Sequence, residues 1–151
     1  MPDLITPDLV ALDADLGSDK STVVRRLAGL VAGDGRATSA DALAEDALAR
    51  EAQAATGLPG GIAIPHCRSL VVNKLRVAFG RKAEGVDFKA IDEKPVHFFF
   101  LIVAPPLEVS NQYLPVLGKI AQFSKEPDVP GRLLELAEPA QFMELLKEKG
   151  V

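Results

Sequence analysis

The chain is poor in the residues from which many sites are built. Its 151 residues include one cysteine, one tyrosine, two histidines and no tryptophan. A single cysteine, Cys67, excludes an internal disulfide and suits a reducing compartment. The histidines, His66 and His97, stand 31 positions apart, and the cysteine adjoins the first of them. None of the tight ligand spacings that mark zinc sites is present, so no metal is expected. The longest strongly apolar run, Phe98 to Ala104, is far short of the ~20 residues that a membrane span needs. Basic residues are spread along a chain of net charge −4, which denies nucleic acid the basic face it would require. No Lys or Arg occurs before Lys20, whereas a secretory signal begins basic, and the expected location is the cytoplasm. Both glycine signatures of nucleotide sites, G-x-x-x-x-G-K-[ST] and G-x-G-x-x-G, are missing, and no cofactor is expected.

What is present suffices for one folded unit. Apolar residues make up 48% of the chain, enough for a core, and the length fits a single domain over residues 1–151. Leu9 to Leu16 alternates apolar and polar residues and predicts a strand. Ser18 is placed to cap a helix with Val23, Val24, Leu27, Leu30 and Val31 on one stripe, and Gly33 to Arg36 ends it. A second, alanine-rich helix follows from Thr38, with Asp41 completing a weak capping box. Gly61 to Pro65, Lys74 to Arg81 and Pro95 to Pro106 predict strands, the last one central because it is apolar on both faces. Ser110 or Asn111 opens a helix carrying Leu114, Leu117, Ile120 and Ala121, with Pro115 in its first turn. Two short helices close the chain, and Pro139 starts the second. Interleaved strands and helices predict a layered α/β domain.

The stretch TGLPGGIAIPHCRS, Thr56 to Ser69, concentrates the chemistry. Neighbours on an extended segment point to opposite faces, so Cys67 is poorly placed for activation by His66 and reads as a small, partly buried hydrophobe. His66 itself carries two readings. A neutral imidazole offers a lone pair that can attack a phosphoryl group, and the product adds roughly two negative charges. Gly57, Gly60 and Gly61 would let backbone N–H groups converge on such a group, and Arg50 would add a forked cation. A satisfied structural histidine explains the same residue without chemistry.

The string T-G-x-x-x-G-I-A-I-P-H, preceded by the helix that carries Arg50, resembles the fructose/mannitol-type enzyme IIA domain of the bacterial sugar phosphotransferase system. The later strand PVHFFFLIVAP and the final ELLKEKG helix extend the resemblance over essentially the whole chain. It implies a single α/β domain with a mixed β-sheet flanked by helices. It further implies a protein-to-protein phosphotransferase without metal or organic cofactor. His66 would accept the phosphoryl group from the phosphocarrier protein HPr and pass it to a cysteine of a IIB domain. That domain serves the IIC membrane permease, with fructose as the expected sugar. Arg50 would stabilise the phosphoryl group, and Thr56, Gly57, Gly60, Gly61 and Tyr113 would complete its surroundings.

One position departs from the pattern. Where the mannitol branch has a histidine in an NNEH-like segment, this chain reads VSNQYLPVL and has Tyr113. Its phenol can donate a hydrogen bond or can pack over the rim of the site, but it is no proton carrier near neutral pH. His97 reads as a core-edge histidine with a local hydrogen bond. Leu58, Pro59, Ile64 and Leu70, with Arg68 as a rim charge, are candidates for a docking ring. Two other functions compete with sugar transport: a nitrogen-type IIA phosphoacceptor that regulates partners, and a sensor whose glycine loop binds an anion without covalent chemistry.

Overall fold

The computed structural model describes residues 4–12, 16–33, 39–53, 56–58, 60–88, 93–107 and 111–151. Their order is a 3-10 turn Pro7–Leu9, β1 Val10–Leu12, α1 Lys20–Gly33, α2 Ala40–Gln53, β2 Gly57–Leu58, β3 Ile62–Ala63, β4 His66–Arg68, β5 Arg76–Val86, β6 Val96–Ala104, α3 Tyr113–Ser124, α4 Val129–Leu134 and α5 Pro139–Glu148. Six strands form one mixed sheet. β6 pairs antiparallel with β5 on one side and parallel with β3 and then β4 on the other. β1 extends the sheet beyond β5, and β2 folds back on β3 as a hairpin. The expected mixed α/β domain with flanking helices is what the chain forms.

The central strand follows from composition. β6 is buried at nearly every position, so its apolar residues must be covered on both faces. Phe100 and its cross-strand neighbour Phe79 face α3 and α5, where they meet Phe123 and Phe142. On the opposite face Gly80 lets α1 approach closely, since a Cβ there would lie 3.1–3.2 Å from side-chain atoms of Leu16 and Leu27. Among the described residues no helix is long and apolar enough to cross a membrane.

Several boundaries differ from expectation for local reasons. Asp19, not Ser18, caps α1, its Oδ1 accepting from Thr22 N at 2.8 Å. Ser39 Oγ caps α2 by accepting from Ala42 N at 3.1 Å, while Thr38 lies outside the described residues, as do Asp34 to Arg36. β1 stops at Leu12, and residues 13–15 of the predicted strand are likewise not described. β5 runs on to Val86 through a polar stretch with a register shift between Arg81 and Val86, a span that includes Gly85 at φ +84°. A period-2 hydrophobic pattern could not flag that half, because its residues are largely exposed. α3 begins at Tyr113 and buries Tyr113, Val116, Ile120 and Phe123, so Leu114 lies exposed on its other flank and Leu117 packs half-buried at the edge of the core. α5 has the Glu138/Gln141 capping box, and Pro139 opens it as predicted.

The ring of Phe142 stacks on Phe79 at 4.1 Å between centroids and is fully buried. Phe142→Ala should therefore cost ~3–5 kcal/mol, the usual range for emptying a packed aromatic site. Urea titration should show the midpoint fall with the slope unchanged; a loss under ~1 kcal/mol would mean that α5 is not part of the cooperative core.

Candidate functional site

His66 is carried by a strand, not by a loop. Pro65 interrupts the segment after β3, and pairing with β6 resumes at once, with Ile102 N donating to Pro65 O at 3.0 Å and His66 in register with Ile102. Burial along β4 alternates: His66 is half-buried, Cys67 buried and Arg68 exposed. His66 and Arg68 therefore share one face, and Cys67 turns into the core, as read from the sequence. Burial, with some help from the charge of Asp46, pushes the Cys67 thiol up to about 12, so it is no thiolate near neutrality.

The imidazole is oriented at both nitrogens. Nδ1 lies 2.8 Å from the carbonyl oxygen of Ile64. A carbonyl can only accept, so the proton resides on Nδ1 and the lone pair on Nε2. Arg50, in the last turn of α2, brings Nη2 to 3.3 Å from Nε2. The Tyr113 and His66 rings make an edge-type contact with 6.3 Å between centroids. These side chains line an open cleft of about 400 Å³ together with Arg68, Leu114 and Leu117. Burial, and next the neighbouring Cys67, push the Tyr113 hydroxyl up to about 12, against the opposing pull of Arg68 and Arg50. The guanidinium of Arg68 sits over the Tyr113 ring at 4.4 Å. The cleft thus combines a nucleophilic nitrogen, two cations and an apolar flank.

Thr56 acts at one remove. Its N and Oγ1 donate to the buried carboxylate of Glu51 at 2.7 and 2.5 Å, and Lys20 neutralises that carboxylate at 3.1 Å. The carbonyl of Thr56 receives Ile64 N at 3.2 Å, and the carbonyl of Ile64 orients His66. Gly57 is buried and paired with Ala63 in the hairpin. Gly60 and Gly61 form the hairpin turn with φ of +96° and +79°, which only glycine adopts freely. The structure does not bring these two to His66. Gly61 O accepts from His97 N and Phe98 N, four β6 positions before Ile102, or roughly 13 Å away at about 3.3 Å per residue. Their glycine character answers a turn and the close His97 ring, 3.1 Å from where a Cβ of Gly61 would stand.

His97 has the local bonds expected of it, with Nδ1 3.0 Å from Ala83 O and 3.2 Å from Lys82 O. Of the docking-ring candidates, Leu70 is 90% exposed, Arg68 stands at the rim and Ile64 belongs to the core. Pro59 and the side chain of Leu58 lie outside the described residues. Leu114, 69% exposed, and the half-buried Leu117 are the apolar cleft residues that the sequence did not assign to the site. The signal was a double stripe: Tyr113, Val116, Ile120 and Phe123 already make a complete buried face, which leaves Leu114 and Leu117 without a place in it. Among the described residues no group of three His, Cys, Asp or Glu side chains could hold a metal ion.

Comparison with known proteins adds an independent line. The family model for "Phosphoenolpyruvate-dependent sugar phosphotransferase system, EIIA 2" matches residues 3–149. The fructose-specific EIIA component of the phosphotransferase system of Haloferax volcanii is 34% identical over 145 residues, which span 95% of this chain and 93% of that protein. The crystal structure of the nitrogen regulatory protein IIA-Ntr of Neisseria meningitidis is similar with a TM-score of 0.86 at 28% identity, covering 95% of this chain and 97% of that one. The enzyme IIA for mannitol of Escherichia coli, solved in complex with phosphorylated enzyme IIB, shares the fold at 20% identity. Its TM-score is 0.78, with 95% of this chain and 97% of that one covered.

Tyr113 is the one tyrosine, so its ionisation can be followed by ultraviolet absorbance without overlap from other phenols. The folded protein should titrate near about 12 instead of the ordinary 10.0. The folded chain then holds the phenolic proton more tightly than the unfolded chain, and stability should fall as pH rises between those values. A midpoint at the ordinary value, with circular dichroism still native, would mean that the ring is solvated.

Proposed function

Because this chain belongs to the type-2 EIIA family of the phosphoenolpyruvate-dependent sugar phosphotransferase system, and is thereby a phosphotransferase, we propose that Nε2 of His66 is the atom that takes the phosphoryl group. The observation that carries this reading is the hydrogen bond from Nδ1 to Ile64 O, which leaves the Nε2 lone pair in the cleft beside Arg50. As the Nε2–P bond forms, the donor's N–P bond breaks and its electron pair stays with the departing imidazole. The His66 ring gains positive charge, which the Ile64 carbonyl dipole stabilises through the retained Nδ1 proton. Arg50 meets the charge on the phosphoryl oxygens. The protein's remaining task is positioning and charge, which govern phosphoryl transfer.

The donor in this reading is the phosphocarrier HPr, and the acceptor is the cysteine of a IIB domain that serves a IIC permease. A cysteine thiolate attacks the phosphorus, and the Nε2–P pair returns to His66. The Haloferax relative supports fructose as the sugar, and the mannitol complex supports a IIB partner. The whole of residues 1–151 acts as one domain in the cytoplasm. Thr56 and Gly57 serve through the backbone that holds Ile64, and Tyr113 borders the phosphoryl group. The likeness to IIA-Ntr favours a second reading, in which phosphorylated His66 regulates partner proteins and feeds no sugar.

Incubation with phosphoenolpyruvate, enzyme I and HPr, followed by intact-mass analysis, tests the acceptor. Wild type should gain one acid-labile phosphoryl group, and His66→Ala should gain none while keeping a native circular dichroism spectrum. Arg50→Ala should accept on the order of ten- to a hundredfold more slowly, the effect of removing one charged donor. Labelling of His66→Ala would remove that residue from the role. Presentation of the phosphorylated chain to a fructose IIB domain then separates the branches: loss of the added mass supports sugar transport, and retention beside a competent IIB domain supports the regulatory reading.

A further inference from the structure

We propose that Arg68 is a second cation for the phosphoryl group on His66, and that the ring of Tyr113, rather than its hydroxyl, is the platform that positions it. The inference rests on the acceptor role of His66. Residues 66 and 68 project from the same face of β4, about 7 Å apart along the strand, which is within the reach of an arginine side chain. Both line the cleft that Arg50 enters from α2. Arg50 addresses His66 at Nε2 itself, whereas a phosphoryl group bound there presents three oxygens, more than one guanidinium fork satisfies.

Arg68 is held in a way that leaves it available. Its guanidinium lies 4.4 Å over the Tyr113 ring, and a cation–π contact consumes none of the N–H donors. Its hydrogen bond to Pro105 O, at 3.4 Å, is longer than the usual N–H···O range and is readily exchanged for a charged acceptor. Asp46, the one carboxylate among the residues lining the cleft, is already engaged by Ser69 Oγ at 2.5 Å. Tyr113 is 7% exposed at the start of α3, in an edge-type contact with the His66 ring. One buried ring therefore sets the position of Arg68 relative to the nucleophile. The phenol is ill-suited to share charge, but its face is suited to hold a cation. The position that departs from the mannitol branch thus supplies positive charge indirectly, through a neighbour.

The test is the rate of phosphoryl uptake from saturating phospho-HPr, read by intact mass, with circular dichroism as the check on folding. Arg68→Ala changes an exposed residue and should slow uptake on the order of tenfold, the worth of one charge-assisted hydrogen bond. Arg68→Lys should recover part of the loss. Tyr113→Leu should match Arg68→Ala, Tyr113→Phe should regain most of the rate by restoring the ring, and the double variant Arg68→Ala/Tyr113→Leu should be no slower than either single one. In nitrogen-15 NMR the Arg68 guanidinium signal should shift when wild type is phosphorylated. Uptake by Arg68→Ala at the wild-type rate would overturn the proposal. So would multiplicative losses in the double variant, a Tyr113→Phe rate as low as that of Tyr113→Leu, or an unmoved Arg68 signal. A wild-type chain that gains no phosphoryl mass would instead overturn the acceptor role of His66, which keeps the two failures distinct.

Discussion

The geometry of this protein hangs on the pairing of β6. That strand receives β5 along one edge and β3 followed by β4 along the other, so three of the five other strands take their register directly from it. Being apolar on both faces, it cannot slip by one residue without exchanging the rings that meet α3 and α5 for those on the opposite face. His66 inherits this rigidity through its register with Ile102. In the role proposed for it, His66 gains from being set on the sheet and not on a loop, because its own position then costs no ordering at the moment of encounter.

Around that fixed imidazole the charge is arranged in two tiers. Arg50 touches the ring, and Arg68 waits on the Tyr113 face. Behind them the Lys20–Glu51–Thr56 chain lies in the interior, with Glu51 only 4% exposed. Its carboxylate accepts from two groups of Thr56 and from one lysine, so a buried negative charge is compensated on the spot. It ties the end of α2, where Arg50 stands, to the segment that sets Ile64 O. The orientation of His66 and the placement of Arg50 thus depend on one another. The cleft is open, with the exposed Leu114 on its lining, a form that suits a partner protein's surface better than an enclosed small molecule.

Much of this was legible from residues 50–69 alone. The resemblance carried by the Thr56–Gly57 string implied that Arg50 and His66 meet, and the opposed direction of Cys67 followed from strand alternation. The apolar run Phe98 to Ala104 declared a central strand, and Pro139 declared the start of α5. The polar half of β5 was not legible, since exposed residues carry no periodic signal. The duties of Gly60 and Gly61 were misread for a related reason: a glycine reports a backbone need without saying whether a ligand, a turn or a neighbouring ring imposes it.

By itself the sequence determined the local matters: which segments are apolar enough to be buried, where prolines and glycines interrupt them, and which residues carry chemistry. Tertiary structure alone decided which of those residues meet. That Arg68 lies on Tyr113, that Leu114 lines the cleft rather than the core, and that the hairpin glycines sit four strand positions from His66 are all outcomes of sheet register and helix rotation. Such contacts join segments far apart in the chain, and no local propensity or spacing encodes them; they arise when the two faces of β6 are covered at once.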